Sequence, residues 1–393
     1  MKRKNFIQLS AFATTALMVP GFLQASGSSV INSNGKKLVI VQLSGGNDGL
    51  NTIVPYRNDI YYKLRPALAI KDDKLLKLND ELAMNDAMAG MKALYDQGLL
   101  TIINNVGYPN PDRSHFRSMD IWQTASGSGD FVNTGWVGRY LDATCSGCSK
   151  PYTAIEIDDS LSLAMKGEKV NGLALHDVNL FYKMMKDVSD FNKPAFNSQN
   201  DNLNYLYKTL AETSSSADYL YQKSNIYHSK ASYANNGFAK DLKTIAELII
   251  SGVDTSIYYT ALSGFDTHVN QQGAQANHLK ELSEGLNVFV NDLKANNSFD
   301  DVTIFVFSEF GRRVAQNASG GTDHGTANNV FVISPKLKRP GIFNETPDLA
   351  QLDNGDLIHR IDFRHVYATL LNRGLGADDG LILGKQFEQL NII

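Results

Sequence analysis

The chain has 393 residues with a net charge of −4, its acidic and basic side chains interspersed, a balance that excludes nucleic acid as the partner. Its length exceeds the usual single domain, although large α/β enzymes reach it as one unit with insertions. A hydrophobic content of 43% is that of an ordinary globular protein, and beyond the N-terminus no run is long and apolar enough to cross a bilayer.

The start of the chain predicts export. Met1-Lys2-Arg3-Lys4-Asn5-Phe6 is basic, Leu9 to Leu23 is apolar but broken by Pro20, and small residues follow at Ala25 to Gly27. This is the order of a secretory signal peptide, placed at 1–25. The mature protein is then expected to be periplasmic, cell-surface or secreted, with no transmembrane anchor. Arg3-Lys4-Asn5-Phe6-Ile7 is similar to a twin-arginine signal but has Lys where the second arginine stands, so the export route is open. The competing reading is an amphipathic helix packed on the domain.

Lys37 to Leu43 reads as a buried strand ending in the Gly-rich turn Ser44 to Gly49. Asn85 to Tyr95 reads as an amphipathic helix, Leu99 to Asn104 as a second strand, and Ser114 to Thr124 as a helix with Phe116, Met119 and Trp122 on one face. The only cysteines, Cys145 and Cys148, lie in a small-residue loop without a zinc pattern around them. A local disulfide is the reading that suits an oxidising compartment. Val170 to Leu175 and Leu248 to Val253 are weaker apolar runs. Between them, Leu203, Leu206, Leu210 and Leu220 predict a helical insertion at about 180–235.

Ile257 to Leu262 is a strand, and Leu279, Leu282, Leu286, Phe289, Val290 and Leu293 mark an amphipathic helix. Val302 to Phe307 and Val330 to Ile333 are further strands, and Asp362 to Arg373 is a closing helix. Strands alternating with helices predict an α/β fold with a doubly wound, mostly parallel sheet. Ligands of such sheets bind outside the carboxyl ends of the strands. Asp48, Asp266, His268, Glu309 and His324 all fall in loops that this layout brings to that edge. Carboxylates and imidazoles together suit a divalent metal. Each taken singly is a commonplace cap or surface residue. Ser114 opens a helix, where free amides favour an anion and activate a hydroxyl, although Ser is also a frequent N-cap. Arg113, Arg117, Arg312 and Arg313 are candidates to clamp a phosphate or sulfate. His115 adjoins Ser114 and could serve as acid or base, although neighbours on a helix point in different directions.

The strings Leu43-Ser44-Gly45-Gly46-Asn47-Asp48-Gly49, Gly264-Phe265-Asp266-Thr267-His268, Ser308-Glu309-Phe310-Gly311-Arg312, Gly321-Thr322-Asp323-His324-Gly325 and Asp362-Phe363-Arg364-His365 closely resemble the exported bacterial domain-of-unknown-function family 1501, from about residue 37 to 393. That family looks like a remote member of the alkaline phosphatase and sulfatase superfamily. The resemblance implies an alkaline phosphatase-like core, two metal subsites and a nucleophile at a helix start. Asp48 then matches a metal-binding Asp, Ser114 the nucleophile, and Asp266, His268 and His324 one metal subsite. Glu309-Phe310 stands where an Asp-His pair bridges to the second subsite, which therefore has one imidazole fewer.

The expected function is an exported metal-dependent hydrolase of phosphate or sulfate esters. Ser114 would be catalytic, Asp48, Asp266, His268, Glu309 and His324 would hold metal, and Arg113 and Arg312 would bind substrate. Zinc or manganese suits mixed oxygen and nitrogen ligands best, while calcium or magnesium also accepts the carboxylates. The partner would be a small anionic ester or a glycan. The alternative is a non-catalytic cell-envelope protein that keeps the scaffold and binds through its insertion. For Cys145 and Cys148, thiol labelling of the exported, unreduced protein is expected to be low. Full labelling of both would show a free pair.

Overall fold

The computed structural model describes residues 35–144, 150–189 and 201–393, without the side chains of 187–189 and 201–207. The predicted signal peptide and Cys145 and Cys148 lie outside the described residues. The main sheet has nine strands: Lys37–Ser44 (β1), Leu100–Gly107 (β2), Ala154–Glu156 (β3), Leu173–Ala174 (β4), Ile257–Ser263 (β5), Val302–Phe307 (β6), Asn328–Ile333 (β7), Gly341–Ile342 (β8) and Ile361–Asp362 (β9). Their order is β8-β2-β7-β6-β1-β5-β3-β4, with β9 also paired to β2. The helices that matter below are Ala89–Asp96 (α1), His115–Thr124 (α2), Trp136–Thr144 (α3), Val178–Ser189 (α4), Asp201–Ser224 (α5), Gly237–Ile250 (α6), Gln271–Ala295 (α7) and Phe363–Thr369 (α8).

β1 is apolar on both faces because it lies at the centre with helices on either side, as parallel strands require. Val39, Val41 and Leu43 join Tyr258, Ile304 and Val306 under α1, α6 and α7, through Met91, Ile245, Leu286 and Phe289. Leu38 and Ile40 point the other way, with Phe305, Phe307 and Tyr259, toward Trp122, Trp136 and Tyr367 of α2, α3 and α8. Trp122 stacks on Phe307 and Phe363 with ring centroids 4.9 and 4.3 Å apart. The chain is thus the expected doubly wound α/β fold with a mixed, mostly parallel sheet.

One strand is reversed. β7 runs antiparallel to both β6 and β2, while every other pair in the sheet is parallel. The segment leaving β6 at its carboxyl end therefore re-enters the sheet at the same edge, so residues 308–327 stay there throughout. Had β7 been parallel, His324 would have stood at the opposite edge.

Several sequence expectations need correction. Phe116 does not face inward on α2 but is 87% exposed; Ser118, Ile121 and Trp122 carry the buried face. Leu248 to Ile250 complete helix α6 rather than forming an apolar run of their own, and residues beyond them turn. The closing helix is α8 followed by a π-helical turn, Leu370–Gly374. The insertion is helical over Val178–Ser189 and Asp201–Ser224 but not over 225–235, and α5 also enters the core: Ala217 and Leu220 are fully buried, and Tyr219 stacks on Tyr152 at 4.5 Å. Among the described residues, no helix is long and apolar enough to cross a membrane.

Glu156, at the end of β3, is 4% exposed, and burial pushes its carboxyl up to about 8 even though the Ser162 N–H donates to it. A raised folded-state value means the folded protein keeps a proton that the unfolded chain has already released. This group's contribution is therefore full in acid and declines as pH rises from the unfolded carboxyl range, near 4.5, toward about 8. Denaturant midpoints across this window should fall for the wild type, and the fall should be smaller in Glu156→Gln.

Candidate metal and catalytic site

The carboxyl ends of β1, β2, β5 and β6, with the entry to β7, deliver one loop each to a common point. The loop after β1 must turn sharply, with Gly45 and Gly46 at φ +118° and +75°. A Cβ at Gly45 would collide with the Asp266 amide, and one at Gly46 with the Phe310 ring. Glycine at both is thus a steric condition for the site to close.

Arg312 locks these loops. Its guanidinium is fully buried and donates to Gly45 O (2.5 Å), Gly46 O (2.6 Å), Phe265 O (2.9 Å), Thr322 O (2.9 Å) and Asp266 Oδ1 (2.7 Å). Each nitrogen serves the protein itself, so Arg312 is not the substrate clamp expected from sequence. It positions Asp266. Partial burial alone would raise the Asp266 carboxyl, but the hydrogen bond and positive charge of Arg312 outweigh it and hold the group at about 2.

Three imidazoles surround that carboxylate, and each is oriented through Nδ1. His324 Nδ1 is 2.8 Å from the carbonyl of Arg113, which can only accept, so Nδ1 carries the hydrogen and Nε2 presents a lone pair. His268 Nδ1 lies 3.3 Å from the Asp323 carboxylate, and His115 Nδ1 lies 2.9 Å from Glu309 Oε1. With these tautomers the Nε2 atoms of His268, His324 and His115 stand 3.0, 3.2 and 3.5 Å from Asp266 Oδ1. The first two are 2.9 Å from each other. Two lone pairs so close call for a proton or a cation between them. His115 Nε2 is buried with no hydrogen-bond partner. The ligand atoms of His115, Asp266 and His324 all lie within 4.8 Å of one another. Imidazoles held by an acceptor at one nitrogen and converging through the other are the arrangement of metal-ligating histidines. The donor set fits one divalent cation.

His115 is the residue that sequence reasoning missed. Adjacency to Ser114 directed attention to a partnership between the two, whereas its ring reaches across to Asp266 and Glu309. Glu309, in turn, does not enter as a ligand. Its side chain is fully buried, accepting from the Gly45 N–H and from His115 through Oε1 and from the Ser308 hydroxyl through Oε2. That hydrogen bond to Glu309 raises the His115 imidazole above its usual range, against the opposing effect of burial.

Asp48 is also held elsewhere. It is wholly buried in an ion pair with Arg65 at 2.6 Å, and Gln271 donates to the same oxygen. Phe310 fills the adjoining space, its ring centroid 4.8 Å from those of His115 and His324. With Asp48 bound to a guanidinium and an aromatic ring where an imidazole was implied, the second metal subsite does not fit this chain. Arg113 is tied to buried Asp356 by an ion pair, leaving its carbonyl to His324. Ser114 is exposed at the N-cap position of α2, yet its side chain makes no capping bond. Its hydroxyl is therefore not committed to the helix.

Arg312→Lys keeps a positive charge but cannot span five acceptors. It should cost about 3 kcal/mol or more in denaturant unfolding, because several buried carbonyls lose their donor. A cost no larger than that of an exposed Arg→Lys change would show that charge alone matters here.

No curated protein matches the chain in sequence. Among solved structures, the PsFucS1 sulfatase from Pseudoalteromonas sp. is similar at 10% identity and a TM-score of 0.41, over 100% of this chain and 75% of that one. A protein in the alkaline phosphatase superfamily from Vibrio parahaemolyticus is similar at 10% identity and 0.40, over 98% and 78%. The C-terminal periplasmic domain of EcEptC from Escherichia coli, in complex with Zn, is similar at 11% and 0.37, over 77% and 73%. At such scores these are loose likenesses. The family described as "Protein of unknown function (DUF1501)" matches residues 35–380, which is most of the chain and contains every residue of the site. The chain belongs to this family.

Proposed function

We propose that this protein is an exported hydrolase of phosphate or sulfate esters that works with one divalent cation. The observation that carries the reading is the convergence of the His115, His268 and His324 Nε2 atoms on Asp266 Oδ1. These four side chains would hold the ion, with zinc or manganese suiting a nitrogen-rich set. When bound, it would supply positive charge to stabilise the transferring group and lower the pKa of a nearby hydroxyl.

The chain's own residues supply the rest. Ser114 would attack phosphorus or sulfur, expelling the alcohol, and water would then hydrolyse the resulting ester. The first-turn amides of α2, a helix of ten residues, would favour the anionic group beside Ser114. Glu309, Asp323 and the Arg113 carbonyl fix the tautomers that keep each Nε2 free. Arg312 neutralises part of the Asp266 charge and fixes its direction. Export rests on the basic start and apolar centre of the first 25 residues.

A second reading, a non-catalytic envelope protein, draws support from the engagement of Asp48 and the replacement of an imidazole by Phe310. Two variants separate the possibilities. His268→Ala should lower bound metal, read by elemental analysis of the purified protein. Ser114→Ala should leave metal content intact and abolish ester hydrolysis. If Ser114 takes no part in the chemistry, its change leaves activity near normal and stability little altered, since its hydroxyl makes no capping bond. Wild-type protein that holds metal but hydrolyses no member of a broad phosphate- and sulfate-ester panel would favour the non-catalytic reading.

A further inference from the structure

Nine large apolar side chains are exposed among the described residues; of these, Phe116 and Val269 adjoin histidines of the cluster in the chain, Ile358 shares a cleft with Glu309, and Phe131 packs beside α2. Phe116 follows His115 directly and is 87% exposed; Val269 follows His268 and is 60% exposed. Phe131, 81% exposed, lies under the Arg117 guanidinium at 4.1 Å from its ring centroid. That guanidinium also pins the loop before Phe131, donating to the carbonyls of Gly127, Ser128 and Asp130 at 3.3, 2.9 and 2.6 Å. Ile358 lines a cleft shared with Glu309 and Phe310. Phenyl groups left in water add nothing to folding, and apolar surface gathered around a polar centre marks a binding region.

The charges nearby narrow what binds. The arginines at the rim are engaged, Arg113 with Asp356 and Arg117 with its ring and carbonyls. Asp112, Asp130, Asp323 and Asp353 lie on the same loops, three of them exposed. This rim would repel a second anionic group on the substrate and an anionic membrane surface alike.

Resting on the ester-hydrolase reading, we propose that Phe116, two residues past Ser114 in the first turn of α2, and Phe131, held beside α2 by Arg117, hold the apolar ring of the substrate's alcohol. The preferred substrate is then an aryl ester carrying a single phosphate or sulfate, not a polyanion, a small alkyl ester or a lipid in a bilayer. Phe116 touches the ring and not the reacting atoms, so it sets specificity.

Binding to the zinc- or manganese-loaded chain tests this without turnover. Calorimetry would compare phenylphosphonate with inorganic phosphate, and benzenesulfonate with sulfate, for the wild type, Phe116→Ala and Phe131→Ala. Both side chains are exposed, so unchanged melting is expected and would be checked. In the wild type the aryl member of at least one pair should bind more tightly. Phe116→Ala should weaken it about five- to tenfold, in keeping with the loss of one aromatic contact, while the inorganic anion is unaffected. An aryl anion no tighter than its inorganic counterpart in both pairs, or an equal loss of both members in Phe116→Ala, would overturn the proposal and leave the hydrolase reading standing. Failure of the loaded wild type to bind any of the four anions would remove both. Sedimentation with phosphatidylcholine–phosphatidylglycerol vesicles that is lost in Phe116→Ala would make the rim a membrane contact and overturn it as well.

Discussion

The buried guanidinium of Arg312 is the interaction on which the site depends. A planar fork of donors reaches carbonyls in the loops after β1 and β5 and before β7, and ends on the Asp266 carboxylate. Loops of this kind have no ladder of their own to fix them. Tying them to one rigid group removes their independent motion and sets a single direction for Asp266, the oxygen toward which the imidazoles converge. A lysine in its place would offer a point charge without the angles.

A second layer of polar contacts does for the histidines what Arg312 does for the aspartate. Three different acceptors, a carboxylate buried in the core, a carboxylate at the surface and a main-chain carbonyl, each take one imidazole nitrogen. The acceptors come from widely separated stretches of chain, so the protonation pattern of the cluster is a property of the tertiary fold. Beneath it, Asp48, Arg65, Gln271 and Thr322 form a buried polar network that joins Asp48 to the Thr322 loop. A guanidinium already balances the Asp48 charge there, and that is why this acid stands apart from the imidazole cluster.

How far the sequence reveals all this differs by element. The central strands and the long helix α7 were legible because β-branched runs and a regular apolar stripe leave few alternatives. The meeting of Asp266, His268 and His324 was legible because two short loops carried them at strand boundaries. The reversal of β7 was not, since a short apolar run carries no direction, although the reversal is what brings His324 to the correct edge. His115 was hidden by its own neighbour: spacing on a helix says where a side chain departs, not how far an imidazole reaches once the helix is docked. Arg312 could be identified as an anion clamp or as scaffolding, and only the positions of surrounding carbonyls decide between them. Phe116 broke its helical stripe: it is exposed in the first turn, while Ser118, Ile121 and Trp122 carry the buried face of α2.

The central position of β1 has a consequence for how the chain is made. Both of its hydrogen-bonded partners, Ile257–Ser263 and Val302–Phe307, come from far along the sequence, beyond residue 256. A nascent polypeptide therefore carries an apolar, unpaired strand from its first fifty residues until residue 263 has been synthesised, and one open edge of it until residue 307. Pairings this distant are slow to form, and an open strand edge in the interval invites association with other chains. The native sheet cannot close by growth from the N-terminus. Folding must wait until most of the chain has been made, a delay that makes the polypeptide a natural client of holding chaperones.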